Sequence, residues 1–222
     1  MIPPLLEDDD VLAVNKPEGL ASIPERDPTQ ESLLSQLSTA RPTKLYVVHR
    51  LDKEVSGVII FAKNAAVHKF LNEQFSHHTV RKTYWAVVHG VIAQESGTID
   101  VPLRQFGSGR MGVDSKRGKK SVTSFHVLKR FAAHTLVEVH PVTGRRHQIR
   151  VHLYSLGHAI VGDLLYGEKE LQPHFPRLML HAQRIEFRLP SGNEVMIEVP
   201  VPESFAKILK MIQDETKSLL HQ

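Results

Sequence analysis

The sequence predicts an α+β fold: a single domain over residues 1–222 in which a mixed, mostly antiparallel sheet is flanked by helices and loops. Three observations predict it. Short apolar runs of strand character recur along the chain. They mix with helical-period segments without a regular βαβ rhythm. Turn chemistry such as "PSGN" joins strand to strand directly. The 222 residues suit one large domain or two small ones, at roughly 100–200 residues per domain. No internal repeat or interdomain linker is visible. At 41% apolar and 23% charged residues the composition is globular.

Taken in order, residues 11–14 form a short strand and "NKPEG" after it is turn chemistry. Residues 31–37 form a short helix with Thr29 as its cap. Strands at 45–48 and 58–62 bracket a charged block, His49-Arg50-Leu51-Asp52-Lys53-Glu54, where an ordinary hairpin would carry Asn-Gly or Asp-Gly. Asn64 caps a helix running to about His77, with Val67, Phe70, Leu71 and Phe75 on one face. A long strand covers 80–89, ending at Gly90, and another covers 98–103. The segment "RQFGSGRMGVDSKRGKKS" has almost no apolar periodicity and reads as a long mobile surface loop. Strands resume at 122–128 and 135–139. "RRHQIRVHLYSLG" reads as a helix ending at Gly157. Residues 179–189 and 194–199 make a hairpin. A closing helix over 203–220 turns Phe205, Ile208, Leu209 and Ile212 inward.

The chain has no cysteine, which excludes disulfides, thiolate metal sites and cysteine nucleophiles. "MIPPLLEDDD" lacks the basic and apolar regions of a secretory signal, and no window approaches the ~18 apolar residues of a membrane span. A soluble, cytoplasmic protein is expected. The net charge of +4 is unevenly spread. Residues 7–10 are acidic. Arg104, Arg110, Lys116, Arg117, Lys119 and Lys120 face a single acid, Asp114, and Arg145, Arg146 and Arg150 form a second basic cluster. With a pI near 9.3, the clusters point to a polyanionic partner, foremost nucleic acid. The alternative is a merely solvated surface.

Two motifs are decoys. "GSGRMG" at 107–112 matches a dinucleotide-binding pattern but lacks the preceding strand and following helix. Gly118-Lys119-Lys120-Ser121 resembles a phosphate-binding loop with the wrong spacing. Fourteen histidines invite a metal reading, yet no H-E-x-x-H occurs, and His147 and His152, five apart on a predicted helix, diverge by more than a ligand pair at i, i+4.

Four segments carry chemistry: "HRLDKEVSG" (49–57), "RKTYWAVVHG" (81–90), "PVTGRRHQIRVHLYSLGHAIVGDLLYG" (141–167) and "RLMLHAQRIEF" (177–187). Asp52, between two apolar strands, is partly desolvated and needs a cationic partner. Arg150 is the candidate, with Arg146 one turn earlier on the same helix face. A carboxylate held ionised in a dry pocket serves as nucleophile or base. Strand alternation sends Tyr84 and Trp85 to opposite faces, and an aromatic ring facing a pocket in a basic protein is a platform for a nucleobase. Each feature also has a structural reading: an ion pair for Asp52 and Arg150, a core position for Tyr84.

Together and in this order the segments resemble the RluA-type pseudouridine synthases. "HRLDKEVSG" is similar to that family's HRLD block, "RKTYWAVVHG" to its R-K-x-Y strand, "TGRRHQIRVHL" with "GHAIVGDLLYG" to its T-G-R-x-H-Q-I-R and G-D-x-x-Y-G blocks, and "LMLHA" to its L-x-L-H-A strand. Val55, Arg146 and Ala159 depart from the usual Thr, Thr and Pro. The resemblance implies a pseudouridine synthase-like catalytic domain that isomerises uridine in tRNA and/or large-subunit ribosomal RNA. It implies no cofactor, metal or nucleotide. Many members carry an S4-type module, but the HRLD block begins by residue 49, which leaves no room for one, so a short form is expected, and a monomer. It assigns Asp52 as nucleophile, Tyr84 as the base-stacking residue, Arg150 as the partner of Asp52 and Leu180 as a pocket wall. Arg50 would fill the place of the extruded base, with His49 beside it in substrate contact, and Arg104, Lys119, Lys120 and Arg146 would contact RNA. The rivals are a non-catalytic RNA-binding or chaperone protein on the same fold and a metal-dependent hydrolase.

Overall fold

The computed structural model describes residues 2–25, 27, 29–168 and 170–220. Along the chain run β1 (Pro4–Glu7), β2 (Val11–Lys16), α1 (Leu33–Thr39), β3 (Tyr46–Val47), β4 (Ser56–Ala62), α2 (Ala65–Ser76), β5 (Arg81–His89), β6 (Ser96–Asp100), β7 (Leu103–Gln105) and β8 (Met111–Val113). They are followed by β9 (Val122–Arg130), β10 (His134–Pro141), α3 (Gln148–Ser155), a 3₁₀ turn (Gln172–His174), β11 (Leu180–Arg188), β12 (Glu194–Glu198) and α4 (Glu203–Leu220). The chain divides into two units, Met1–Lys82 with Ala182–Pro200, and Thr83–His181 with Val201–Gln222. The fold is α+β. Among the described residues no helix is long and apolar enough to cross a membrane.

In the first unit the strand order is β1-β2-β4-β11, with β3 on β4 and β12 on β11. β2 pairs antiparallel with β1 and β4. All seven residues of β4 are buried, as its unbroken apolar run requires of a strand covered on both faces. Val11, Ala13, Val58 and Ile60 pack against Val67 and Leu71 of α2 and against Ile185, Phe187 and Ile197. Asn64 caps α2 as expected, its side chain accepting from the Val67 N–H at 2.9 Å. The first helix starts later than predicted, at Leu33. Ser32 and Ser35 exchange side-chain to backbone hydrogen bonds in a reciprocal box, while Thr29 is held by the Asp27 carboxylate.

In the second unit the order is β5-β10-β9-β6, antiparallel throughout. The basic segment corrects the sequence reading, because it is no structureless loop. β7 and β8 pair antiparallel from Leu103↔Val113 to Gln105↔Met111. Leu103 and Lys119 then exchange two backbone hydrogen bonds of 2.9 and 2.8 Å. Helix α3 also corrects the reading, starting at Gln148 and not at Arg145. Gln148 accepts from the Thr143 hydroxyl and the Arg145 N–H, and donates to the Val122 carbonyl and the Thr123 hydroxyl. This side chain shapes residues 143–147 into a loop, with His147 left-handed at φ 52°. Arg146 therefore lies before the helix, exposed, and shares no helix face with Arg150. Helix α4 buries Phe205, Ile208 and Ile212 as its pattern predicts. At its start Arg177 donates to the Ser204 hydroxyl at 2.8 Å.

Candidate active site

In the first unit, the charged block forms a turn between β3 and β4 whose backbone is fixed from several directions. Ser22 and Leu51 exchange two hydrogen bonds, the hydroxyl donating to the Leu51 carbonyl at 2.7 Å and accepting from its N–H at 3.1 Å. Lys16, fully buried, donates from Nζ to the carbonyls of Pro17, Leu20 and Lys53 at 2.9, 2.7 and 3.1 Å. The Gly19 N–H reaches the same Lys53 carbonyl at 2.8 Å, and the Val55 N–H closes the turn on the Asp52 carbonyl at 3.1 Å. Leu51 and Val55 are buried on either side, Asp52 is half-buried and Arg50 is exposed. A charge-assisted hydrogen bond is stronger than a neutral one. Lys16 therefore stiffens the turn more than a further backbone contact would. "NKPEG" was legible only as turn chemistry, and the reach of Lys16 and Ser22 was not.

His49 is half-buried. Its Nε2 accepts from the Ile60 N–H at 3.1 Å, just beyond the last β3–β4 pair, Val47↔Phe61, so the ring stands in for the next residue of a ladder. The ring stacks on Phe75, with centroids 5.1 Å apart and planes at 25°. Burial, and secondarily the nearby Lys82 ammonium, push its pKa down to about 3. The imidazole is therefore neutral, with its proton on Nδ1. Burial pushes Lys82 down to about 8. Gly57, the second residue of β4, stands at φ +125°, and a Cβ there would lie 2.2 Å from the Ala182 carbonyl oxygen. Only glycine allows that approach of β4 to β11.

In the second unit, Tyr84 stands mid-β5, half-buried and paired with Val139, while Trp85 pairs with Glu138 on the alternate face. Leu180 is buried at the start of β11. Arg150 is buried on α3, its Nε and Nη2 each 2.8 Å from a carboxylate oxygen of Asp163. Asp163 is 1% exposed, and its Oδ1 also accepts from the N–H groups of Leu165 and Tyr166. Sequence reasoning named Asp52 alone as the partner of Arg150 and missed Asp163, although "GDLLYG" was in view. A bidentate, buried and further hydrogen-bonded pair fixes the guanidinium plane.

The basic hairpin and the loop before α3 present their charge outward in the same unit. Arg104 is paired with Asp114 at 3.0 Å. The Arg117 N–H, followed by the Arg104 side chain, holds the Asp114 carboxyl below its usual range. Lys119, Lys120 and Arg146 are exposed. Among the described residues no group of three His, Asp or Glu side chains is placed to hold a metal.

Comparison with known proteins accounts for this set of segments. The family model for RNA pseudouridylate synthase matches residues 10–155. A dual-specificity RNA pseudouridine synthase, RluA, of Vibrio vulnificus is 42% identical over 85% of this chain and 78% of its own. The RluA of Vibrio cholerae is 38% identical over 96% and 89%. The human RNA pseudouridylate synthase domain containing 4 superposes with a TM-score of 0.78 at 26% identity, covering 94% of this chain and 92% of that one. The chain belongs to the RNA pseudouridylate synthase family and is an isomerase that converts uridine to pseudouridine in RNA.

Proposed function

We propose that the substrate is a uridine in tRNA and/or large-subunit ribosomal RNA, and that Asp52 is the nucleophile of the isomerisation. The N1–C1′ bond breaks, the uracil rotates and C5 bonds to C1′, while the bond that the Asp52 carboxylate makes to C1′ or to C6 forms and then breaks. The C5 proton leaves to solvent and N1 takes one up, so the reaction is redox-neutral and balanced. The observation that carries the reading is the anchoring of the Asp52 turn by the buried Lys16 and Ser22 and by the His49 ring. A nucleophile gains rate from a backbone that does not have to reorganise. The Vibrio relatives are named dual-specificity enzymes, which supports a reading with more than one RNA target.

Tyr84 stacks on the target base, Leu180 closes the apolar side of its pocket, and Arg150 serves to keep Asp52 ionised. Reaching C5 requires extrusion of the base from its helix, and the exposed Arg50 takes its place, with His49 supporting the turn beneath. Arg104, Lys119, Lys120 and Arg146 contact phosphate, giving affinity with little sequence choice. The chain works as one catalytic domain, a monomer in the cytoplasm, without cofactor.

The deciding experiment is tritium release from RNA labelled at uridine C5, with tRNA and large-subunit ribosomal RNA transcripts offered separately and Asp52→Ala beside the wild type. Release by the wild type and none by the variant, which still binds RNA, is expected. Equal release by both removes Asp52 from the nucleophile role.

A further inference from the structure

One buried tyrosine ties the basic hairpin to the helix that carries Arg150. Tyr166 is 2% exposed and packs with Leu103 of β7, Met111 of β8 and Val151 of α3 in a small apolar cluster. Its hydroxyl accepts from the Met111 N–H at 3.1 Å and lies within hydrogen-bond distance of His147 Nδ1, at 2.8 Å. Two guanidinium carbons lie over its ring, Arg110 of the hairpin at 5.0 Å and Arg150 at 5.3 Å. Its own N–H is bonded to Asp163, the partner of Arg150. Tyr166 thus touches the hairpin through its hydroxyl and ring, and the Arg150–Asp163 pair through its ring and its own backbone N–H.

We propose that Tyr166 is a positioning residue for the isomerisation: it holds the RNA-contacting hairpin in register with Arg150. The inference rests on the proposed roles of the hairpin lysines and of Arg150. A β-ribbon of two three-residue strands has little stability of its own, and without the phenol hydroxyl its β8 edge loses a fixed acceptor. RNA held by such a hairpin still binds, but the uridine sits less well registered for reaction.

The test compares Tyr166→Phe with wild type, each in the native background and in Lys119→Ala/Lys120→Ala, by single-turnover rates at saturating tRNA transcript. Hydrogen exchange of the Met111 amide is followed in parallel. Tyr166→Phe is expected to speed that exchange about tenfold. It is also expected to slow the saturated single-turnover rate about tenfold, with RNA affinity within about threefold and the unfolding midpoint lowered only modestly, as the loss of one buried hydrogen bond requires. In the lysine-free background it slows the rate less than twofold, because the hairpin no longer places the RNA. An equal slowing in both backgrounds overturns the proposal, since Tyr166 would then act without the hairpin. An unchanged rate with faster exchange overturns it too, leaving Tyr166 to packing. A wild-type enzyme inactive on every RNA fails the underlying reading, and the exchange data then report hairpin docking alone.

Discussion

Arg150 and Asp163 form a buried, two-point ion pair, with Nε to Oδ2 and Nη2 to Oδ1 both at 2.8 Å. With side-chain exposures of 5% and 0% the pair is cut off from water. Removing one partner breaks a two-point buried charge pair, at a cost of about 3–5 kcal/mol. Asp163→Asn is therefore expected to lower the urea midpoint strongly and to abolish turnover by loosening the guanidinium. Replacing both partners by apolar residues, as in Arg150→Met/Asp163→Leu, should recover much of the stability without recovering activity. A single variant as stable as wild type would show that the pair is not the anchor of α3.

Lys16 presents a second buried charge, bonded to three carbonyls of which one belongs to the Asp52 turn. Lys16→Met fills the space yet strands those acceptors. A loss of about 3 kcal/mol is expected in chemical denaturation, on the scale of hydrogen bonds to charged groups. The remaining folded enzyme should turn over at least ~10-fold more slowly, since about 1.4 kcal/mol of lost positioning already costs tenfold. Full activity in the folded fraction would detach the turn from Lys16.

His49 gives a pH signature. Its folded pKa of about 3 lies below the ~6.5 of an unfolded imidazole. The unfolded chain therefore binds more protons between those values, and the stabilising contribution is complete above pH 6.5 and is lost as pH falls toward 3. His49→Gln retains an acceptor for the Ile60 N–H and should flatten the fall of unfolding free energy with acid. Lys82→Met removes the cation that adds to the shift, so the His49 pKa rises and the window narrows. Imidazole titration by NMR follows both, and a His49 that titrates near 6.5 contradicts the arrangement.

The sequence was most informative where a periodic or capping signal acts locally. Asn64 with Val67 and Leu71 specified α2, and the closing helix followed from Phe205, Ile208 and Ile212. The four motif blocks were legible as a set. What stayed hidden depended on partners distant in sequence. Lys16 reaches Lys53, Asp163 reaches back to Arg150, and Tyr166 reaches back to Met111 across 55 residues. The β7–β8 hairpin escaped notice because three-residue strands, one with a central glycine, carry too little alternation to register. The start of α3 was misread because Gln148, an ordinary helix former by propensity, spends its side chain organising the loop before it.

The exposed hairpin lysines yield the last prediction. The Lys119 backbone is bound to Leu103, so its side chain projects from a fixed position, and Lys120 follows it outward. Each phosphate neutralised by such a lysine releases a condensed counterion, which steepens the logarithmic salt dependence of binding by roughly 0.7–0.9. Lys119→Ala/Lys120→Ala should therefore weaken binding to tRNA, ribosomal and unrelated transcripts by similar factors and reduce the slope by about 1.5 in total. Filter binding between low and physiological salt measures both quantities. Neutralising Lys210 on α4, a half-turn from the buried face of that helix, serves as the control for net charge alone. If that control lowers the slope as much as the hairpin pair, affinity reflects overall charge and not the hairpin. If the double variant weakens one transcript only, the hairpin reads bases and its lysines belong to specificity.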